Sequence, residues 1–210
     1  MPLCTDIAPD PRLPGYRVVD VDRGRFASLP AEALELLNLA PGREIPPMAF
    51  ARLQELADVE AAYRAAVRLE RLRGHARADL RRRLVMKQHP PAAADAALAR
   101  LAEQGLIDDR RFAEAFTRAR MARGRGAARL IRDLLALGVE RGLAESVVAQ
   151  VLEAEGVDPA QAARAVAERR ARQLAGLEPV ARRRRLTAYL LRRGFAGREV
   201  RDLVRELCAR

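Results

Sequence analysis

Residues 130–151 read LIRDLLALGVERGLAESVVAQV, and the placement of their large apolar side chains decides the fold. Leu130 and Leu134 lie four apart, Gly138 and Val139 form a break, and Val148 and Val151 resume the stripe, which reads as two amphipathic helices joined by a short turn. The same offsets occur twice more. Upstream they fall on Leu80, Leu84, Leu98 and Leu101, with Gln88 and His89 at the break; downstream they fall on Leu186, Leu190, Val204 and Leu207, with Gly194 and Phe195. One helix pair cannot bury its own stripe, so this self-similarity predicts a tandem array whose members stack.

Composition narrows what the array is for. The chain has 210 residues, no Trp, 4% aromatics and a formal charge of +11. Half of it is hydrophobic and rich in Ala, Leu and Arg, which suits helices rather than a β-sandwich. The charge is uneven: residues 1–59 hold 6 basic and 9 acidic side chains, whereas residues 60–210 hold 33 basic and 19 acidic. A basic array implies a polyanion or an acidic protein surface as partner. Cys4 and Cys208 sit far apart, and neither has the spacing of a metal or redox pair. Met1–Pro14 lacks the basic start and apolar run of a secretory signal, and no segment approaches the roughly 20 apolar residues of a membrane span. The expected setting is the cytoplasm.

Caps and turn residues give a layout. Residues 1–14, with four prolines, are expected to be a disordered tail. Residues 15–57 form a small α+β extension with a hairpin of Tyr16–Val21 and Arg25–Leu29, followed by a short helix over Ala31–Asn38. A helix starts at Pro47 and runs towards Arg73, with Asp58 as a point where it could break. Three repeats of three helices follow, over 58–107, 108–156 and 157–210. The fold class is therefore mainly α, a tandem array of helix-turn-helix-like units behind an α+β extension. Asp108 or Asp109 and then Asp158 are predicted N-caps, while Gly138, Gly156 and Gly194 are predicted stops.

Within this layout two stretches resemble the RecX family of regulatory proteins. One is Gly105-Leu106-Ile107-Asp108-Asp109-Arg110-Arg111-Phe112-Ala113, with Phe116 and Arg120 beyond it; the other is Leu190-Leu191-Arg192-Arg193-Gly194-Phe195. Gly126, Ile131, Leu134, Gly138 and Val139 are similar to that family's middle helix pair. The resemblance covers about residues 59–210. It departs from the family at Gln88, His89 and Pro90, where a glycine-type stop is expected, around His75 and Ala76, and at Arg125 between the two turn glycines. The family's function implies binding to the RecA recombinase, lodging in the groove of its DNA filament, and restraint of ATP hydrolysis, strand exchange and filament growth during DNA repair. No cofactor is expected, and the chain is expected to be a monomer.

The residues themselves offer no catalytic set. His75 and His89 have no ligand-spaced partners, Gly124 and Gly126 are only a turn pair, and Phe112, Phe116, Phe195 and Tyr189 suit a core as well as a stacking platform. What remains is arginine. Arg118, Arg120, Arg123, Arg125, Arg129 and Arg132 surround the second repeat's glycine turn, and Arg182, Arg183, Arg192 and Arg193 sit on a helix of the third. These ten are the candidate partner- and nucleic-acid-binding residues, since the guanidinium fork suits phosphates and carboxylates alike. Weak, non-specific binding to single- and double-stranded DNA is expected. The competing class is a helix-turn-helix transcriptional regulator. It needs polar base-reading side chains on a second helix, yet Pro91–Ala97 is almost wholly apolar, and Val139–Ser146 offers only Glu140, Arg141, Glu145 and Ser146.

Overall fold

The structure is a computed structural model that describes residues 1–209; Arg210, the last residue of the expected third repeat, lies outside the described residues. The contacts divide the chain into two compact units. The first comprises Met1–His75 and Asp79–Ile107, and the second comprises Ala76–Ala78 and everything from Asp108 on.

In the first unit a four-stranded antiparallel sheet runs in the order β3-β2-β1-β4, with β1 Leu3–Pro9, β2 Tyr16–Val21, β3 Gly24–Pro30 and β4 Arg43–Glu44. The hairpin expected from sequence is present, with Val19 opposite Ala27. The disordered tail is not: Leu3–Pro9 is an inner strand that pairs Ile7 with Val19 and Leu3 with Glu44. Burial explains this, because Cys4 is 1% exposed against Val19, Val21 and Leu29, and Pro9 stands at the strand's end, where a missing N–H costs little. Asp10 then holds the turn, accepting the Arg12 amide at 2.8 Å and the Ser28 hydroxyl at 2.6 Å. Helix α1 is short, Ala31–Glu35, ending before the predicted Asn38.

Helix α2, Pro47–Leu72, is continuous through Asp58. Capping preference loses there to burial on both sides: Leu53 packs into the sheet core, and Ala65 and Ala66 pack with Leu80, Leu84, Leu98 and Leu101 of α3 (Arg77–Met86) and α4 (Pro91–Glu103). Asp79, at the start of α3, is desolvated, yet hydrogen bonds from Arg83, His75 and Arg82 outweigh that and hold its carboxyl at about 2.

The second unit is helical: α5 Asp109–Met121, α6 Ala127–Leu137, α7 Arg141–Ala154, α8 Pro159–Gln173, α9 Pro179–Arg193 and α10 Arg198–Ala209. Asp108 caps α5 through the amides of Arg110 and Arg111, and Asp158 caps α8 through Ala160. The repeated spacing marks the cores throughout the chain. Leu80, Leu130 and Leu186 are each 0% exposed, as are Leu84, Leu134 and Leu190.

The turn that closes each first helix shows why one repeat diverges in sequence. Gly138 and Gly194 take left-handed φ angles of 88° and 89°, and Gln88 at the equivalent offset is also left-handed, at 68°. The conformation is kept although the glycine is not. Substituting Gln88→Gly is therefore expected to raise unfolding free energy by up to about 1 kcal/mol. Gly194→Ala is expected to lower it by more than about 2 kcal/mol, because the new Cβ would stand 2.4 Å from the Arg129 backbone nitrogen. Urea unfolding of both variants checks the pair.

Candidate functional site

Two glycine turns meet inside the second unit. The turn between α5 and α6 brings Gly126 against Gly194, where a Cβ on Gly126 would lie 2.8 Å from the Gly194 carbonyl. The Gly126 amide donates to the Arg193 carbonyl at 2.8 Å, and the Arg193 guanidinium in return donates to the carbonyls of Arg123 and Gly124. This reciprocal clasp fixes the end of α5, the start of α6 and the end of α9 together.

Around the clasp lies a basic concavity of about 380 Å³, lined by Arg120, Arg123, Arg125, Arg129, Arg192, Arg193 and Tyr189. Asp133 is the carboxylate that balances it, paired with Arg125 and, at 2.8 Å, with Arg129. Arg120, Arg123 and Arg192 have no acidic partner among the described residues; Arg120 instead lies over the Phe116 ring, 4.9 Å from its centroid. A second concavity of about 600 Å³ shares Arg123, Tyr189 and Arg193 with the first and adds Arg169, Arg170 and Gln173. The Tyr189 ring stands between the two, with the guanidinium carbons of Arg170 and Arg193 at 5.2 and 5.1 Å from its centroid. Cation–π contact of this kind orients both arginines.

Six of the ten sequence candidates therefore converge: Arg120, Arg123, Arg125, Arg129, Arg192 and Arg193. Four lie apart from the concavity. Arg118 turns to Glu155 at 3.2 Å and Glu114 at 3.7 Å, and Arg132 folds back on the Ala128 carbonyl at 3.3 Å, so it does not share Arg129's role. Arg182 and Arg183 lie near the start of α9; Arg183 is exposed, and the Arg182 Nε is buried without a hydrogen-bond partner. Sequence reasoning missed Arg169 and Arg170, which join the second concavity through the packing of α8 on α9, Arg170 lying over the Tyr189 ring.

The lining presents many guanidinium donors, which suits it to hold an anion. Among the described residues no group of three His, Cys, Asp or Glu is placed to hold a metal ion, and no helix is long and apolar enough to cross a membrane.

Comparison with known proteins agrees with this architecture. The RecX second three-helix domain matches residues 108–152, and the RecX third three-helix domain matches residues 157–204. Regulatory protein RecX of Halorhodospira halophila is 42% identical over 144 residues, which cover 68% of this chain and 85% of that protein. The chain belongs to the RecX family. RecX of Chromohalobacter salexigens is 36% identical over 137 residues, covering 65% of this chain and 86% of that one. A crystal structure of regulatory protein RecX shares the fold at a TM-score of 0.74 and 17% identity, covering 98% of this chain and 100% of that one. Both stretches that suggested the RecX family from sequence contribute to or adjoin the matched domains, and the Gly126–Gly194 clasp joins those two domains to each other.

Arg192 and Arg193 are neighbours with separate expected roles. Arg193→Ala removes the donor that satisfies two turn carbonyls and is expected to cost about 1–2 kcal/mol in urea unfolding. Arg192→Ala, with no partner to lose, is expected to change stability by less than about 0.5 kcal/mol.

Proposed function

We propose that this RecX family member is a non-enzymatic regulator that binds a RecA recombinase and its DNA filament and lowers the recombinase's ATP hydrolysis and strand exchange. The observation that carries this reading is the concavity around Tyr189, where six arginines gather with Asp133 as counter-charge. Such a surface attracts phosphates or an acidic protein patch, and a DNA filament coated with protein offers both. The regulatory names of its relatives support the same reading. Contact with DNA in this account is through the phosphates, which the guanidinium forks suit at any sequence. The protein acts as a cytoplasmic monomer in this account.

The test is RecA ATP hydrolysis on single-stranded DNA, with the protein added below and at stoichiometry. The wild-type chain is expected to reduce steady-state hydrolysis. An Arg120→Glu, Arg123→Glu and Arg192→Glu triple variant, chosen because these arginines lack acidic partners, is expected to need about tenfold more protein for the same effect, with unchanged helicity by circular dichroism. Unchanged hydrolysis with the wild-type chain at either ratio overturns the reading. Salt-sensitive binding to one duplex sequence over others would favour a transcriptional regulator instead.

A further inference from the structure

The run Arg182-Arg183-Arg184-Arg185 opens α9, yet the basic concavity takes only Tyr189, Arg192 and Arg193 from that helix. Each residue turns a helix by about 100°, so the four cannot share one side. Arg182 and Arg185 stand seven and four residues before Tyr189, and Arg192 and Arg193 stand three and four after it. Steps of three, four and seven keep these five on one flank of α9, beside the buried face of Leu186 and Leu190. Arg183 and Arg184 fall off that flank; Arg184 is level with Leu191, which is 50% exposed. The flank has no counter-charge of its own, since α9 contains no Asp or Glu. Arg185 and Arg192 are exposed with no acidic partner among the described residues, and the Arg182 Nε is buried without a hydrogen-bond partner. Like charges three apart weaken a helix, so Arg182 and Arg185 cost stability that no ion pair within α9 returns.

We propose that a single strand of nucleic acid runs along this flank of α9, its phosphates meeting Arg192 in the concavity and then Arg185 and Arg182 beyond it. The eleven residues from Arg182 to Arg193 span about 16 Å at the rise of an α-helix, which matches about five nucleotides at 3.4 Å each. A strand backbone supplies anions at a fixed repeat, as a file of cations one helical turn apart demands; an acidic protein surface has no such repeat. The file ends in a concavity of about 380 Å³, too small to admit a duplex, whereas a flexible strand can follow the helix into it. Tyr189, in the middle of the file, steadies Arg193 with its ring. Arg182 and Arg185 are thus phosphate contacts, while Arg183 and Arg184 carry the same charge on the same helix and touch no strand. This inference rests on the reading that the second unit meets DNA, and it is tested on DNA alone.

The experiment is fluorescence anisotropy of a labelled oligothymidylate of twelve nucleotides with the full chain, over a series of salt concentrations and with no recombinase present. Arg182→Ala with Arg185→Ala, and Arg183→Ala with Arg184→Ala, remove equal charge from adjacent positions of one helix. The first pair is expected to weaken binding about tenfold and to flatten the slope of log affinity against log salt by about 1.4, two phosphates at roughly 0.7 each. The second pair is expected to weaken binding less than about threefold, the general effect of net charge. Arg185→Ala alone, at an exposed position, is expected to flatten the slope by about 0.7, and it takes the place of the first pair if circular dichroism shows that pair to be less helical. With a duplex of the same length the two pairs are expected to lose affinity equally. Equal effects of the two pairs on the single strand, no binding of the strand by the wild-type chain, or a larger difference between the pairs on duplex than on the strand overturns the proposal. If the wild-type chain still lowers RecA hydrolysis when one of these results is found, the track along α9 is wrong and the regulatory reading stands.

Discussion

The second unit depends on one close approach, the contact of the Gly124–Gly126 turn with Gly194. Neither side tolerates a Cβ, with 2.8 Å available at Gly126 and 2.4 Å at Gly194. Because the backbones touch, each can satisfy the other: the Gly126 amide reaches the Arg193 carbonyl, and the Arg193 side chain reaches back to Arg123 and Gly124. The ends of three helices are thereby brought to one place, and each end carries arginines. The basic concavity is a by-product of this packing, and its stiffness follows from the same contacts.

Crowding guanidinium groups has a cost. Like charges gathered in one concavity repel, by up to about 1 kcal/mol per close pair even in water, and one Asp133 cannot offset six arginines. Tyr189 relieves part of the repulsion by placing its ring against both Arg170 and Arg193. The remaining positive field is what a polyanion would neutralise, so the arrangement trades stability for attraction at long range. Cores that are nearly all Leu, Val and Ala supply the stability that this trade uses.

Much of this fold can be read in the sequence, for reasons that differ by element. The stripe of Leu80, Leu130 and Leu186 with its partners is periodic, and periodicity survives any surface change; its members are buried except Leu207, which is partly buried. The caps at Asp108 and Asp158 are local chemistry and are likewise legible. Strand β1 was not, because Pro2, Pro9, Pro11 and Pro14 signal disorder locally while the pairing of Ile7 with Val19 is tertiary. Asp58 misled for the same reason, since two cores on one helix override a capping preference. At the candidate site, sequence marked the arginines near the glycine turns but could not separate Arg129, which joins the concavity, from Arg132, which folds onto its own helix. Nor could it see Arg169 and Arg170, whose neighbour Tyr189 is supplied by another helix.

The central claim is that the unpaired arginines beside the clasp engage phosphate. The salt dependence of binding to single-stranded DNA tests it most directly, because the slope of log affinity against log salt counts neutralised phosphates at roughly 0.7 each. Replacing Arg120, Arg123 and Arg192 together by alanine is predicted to flatten that slope by about 2. An unchanged slope, with the fold intact, would contradict the account.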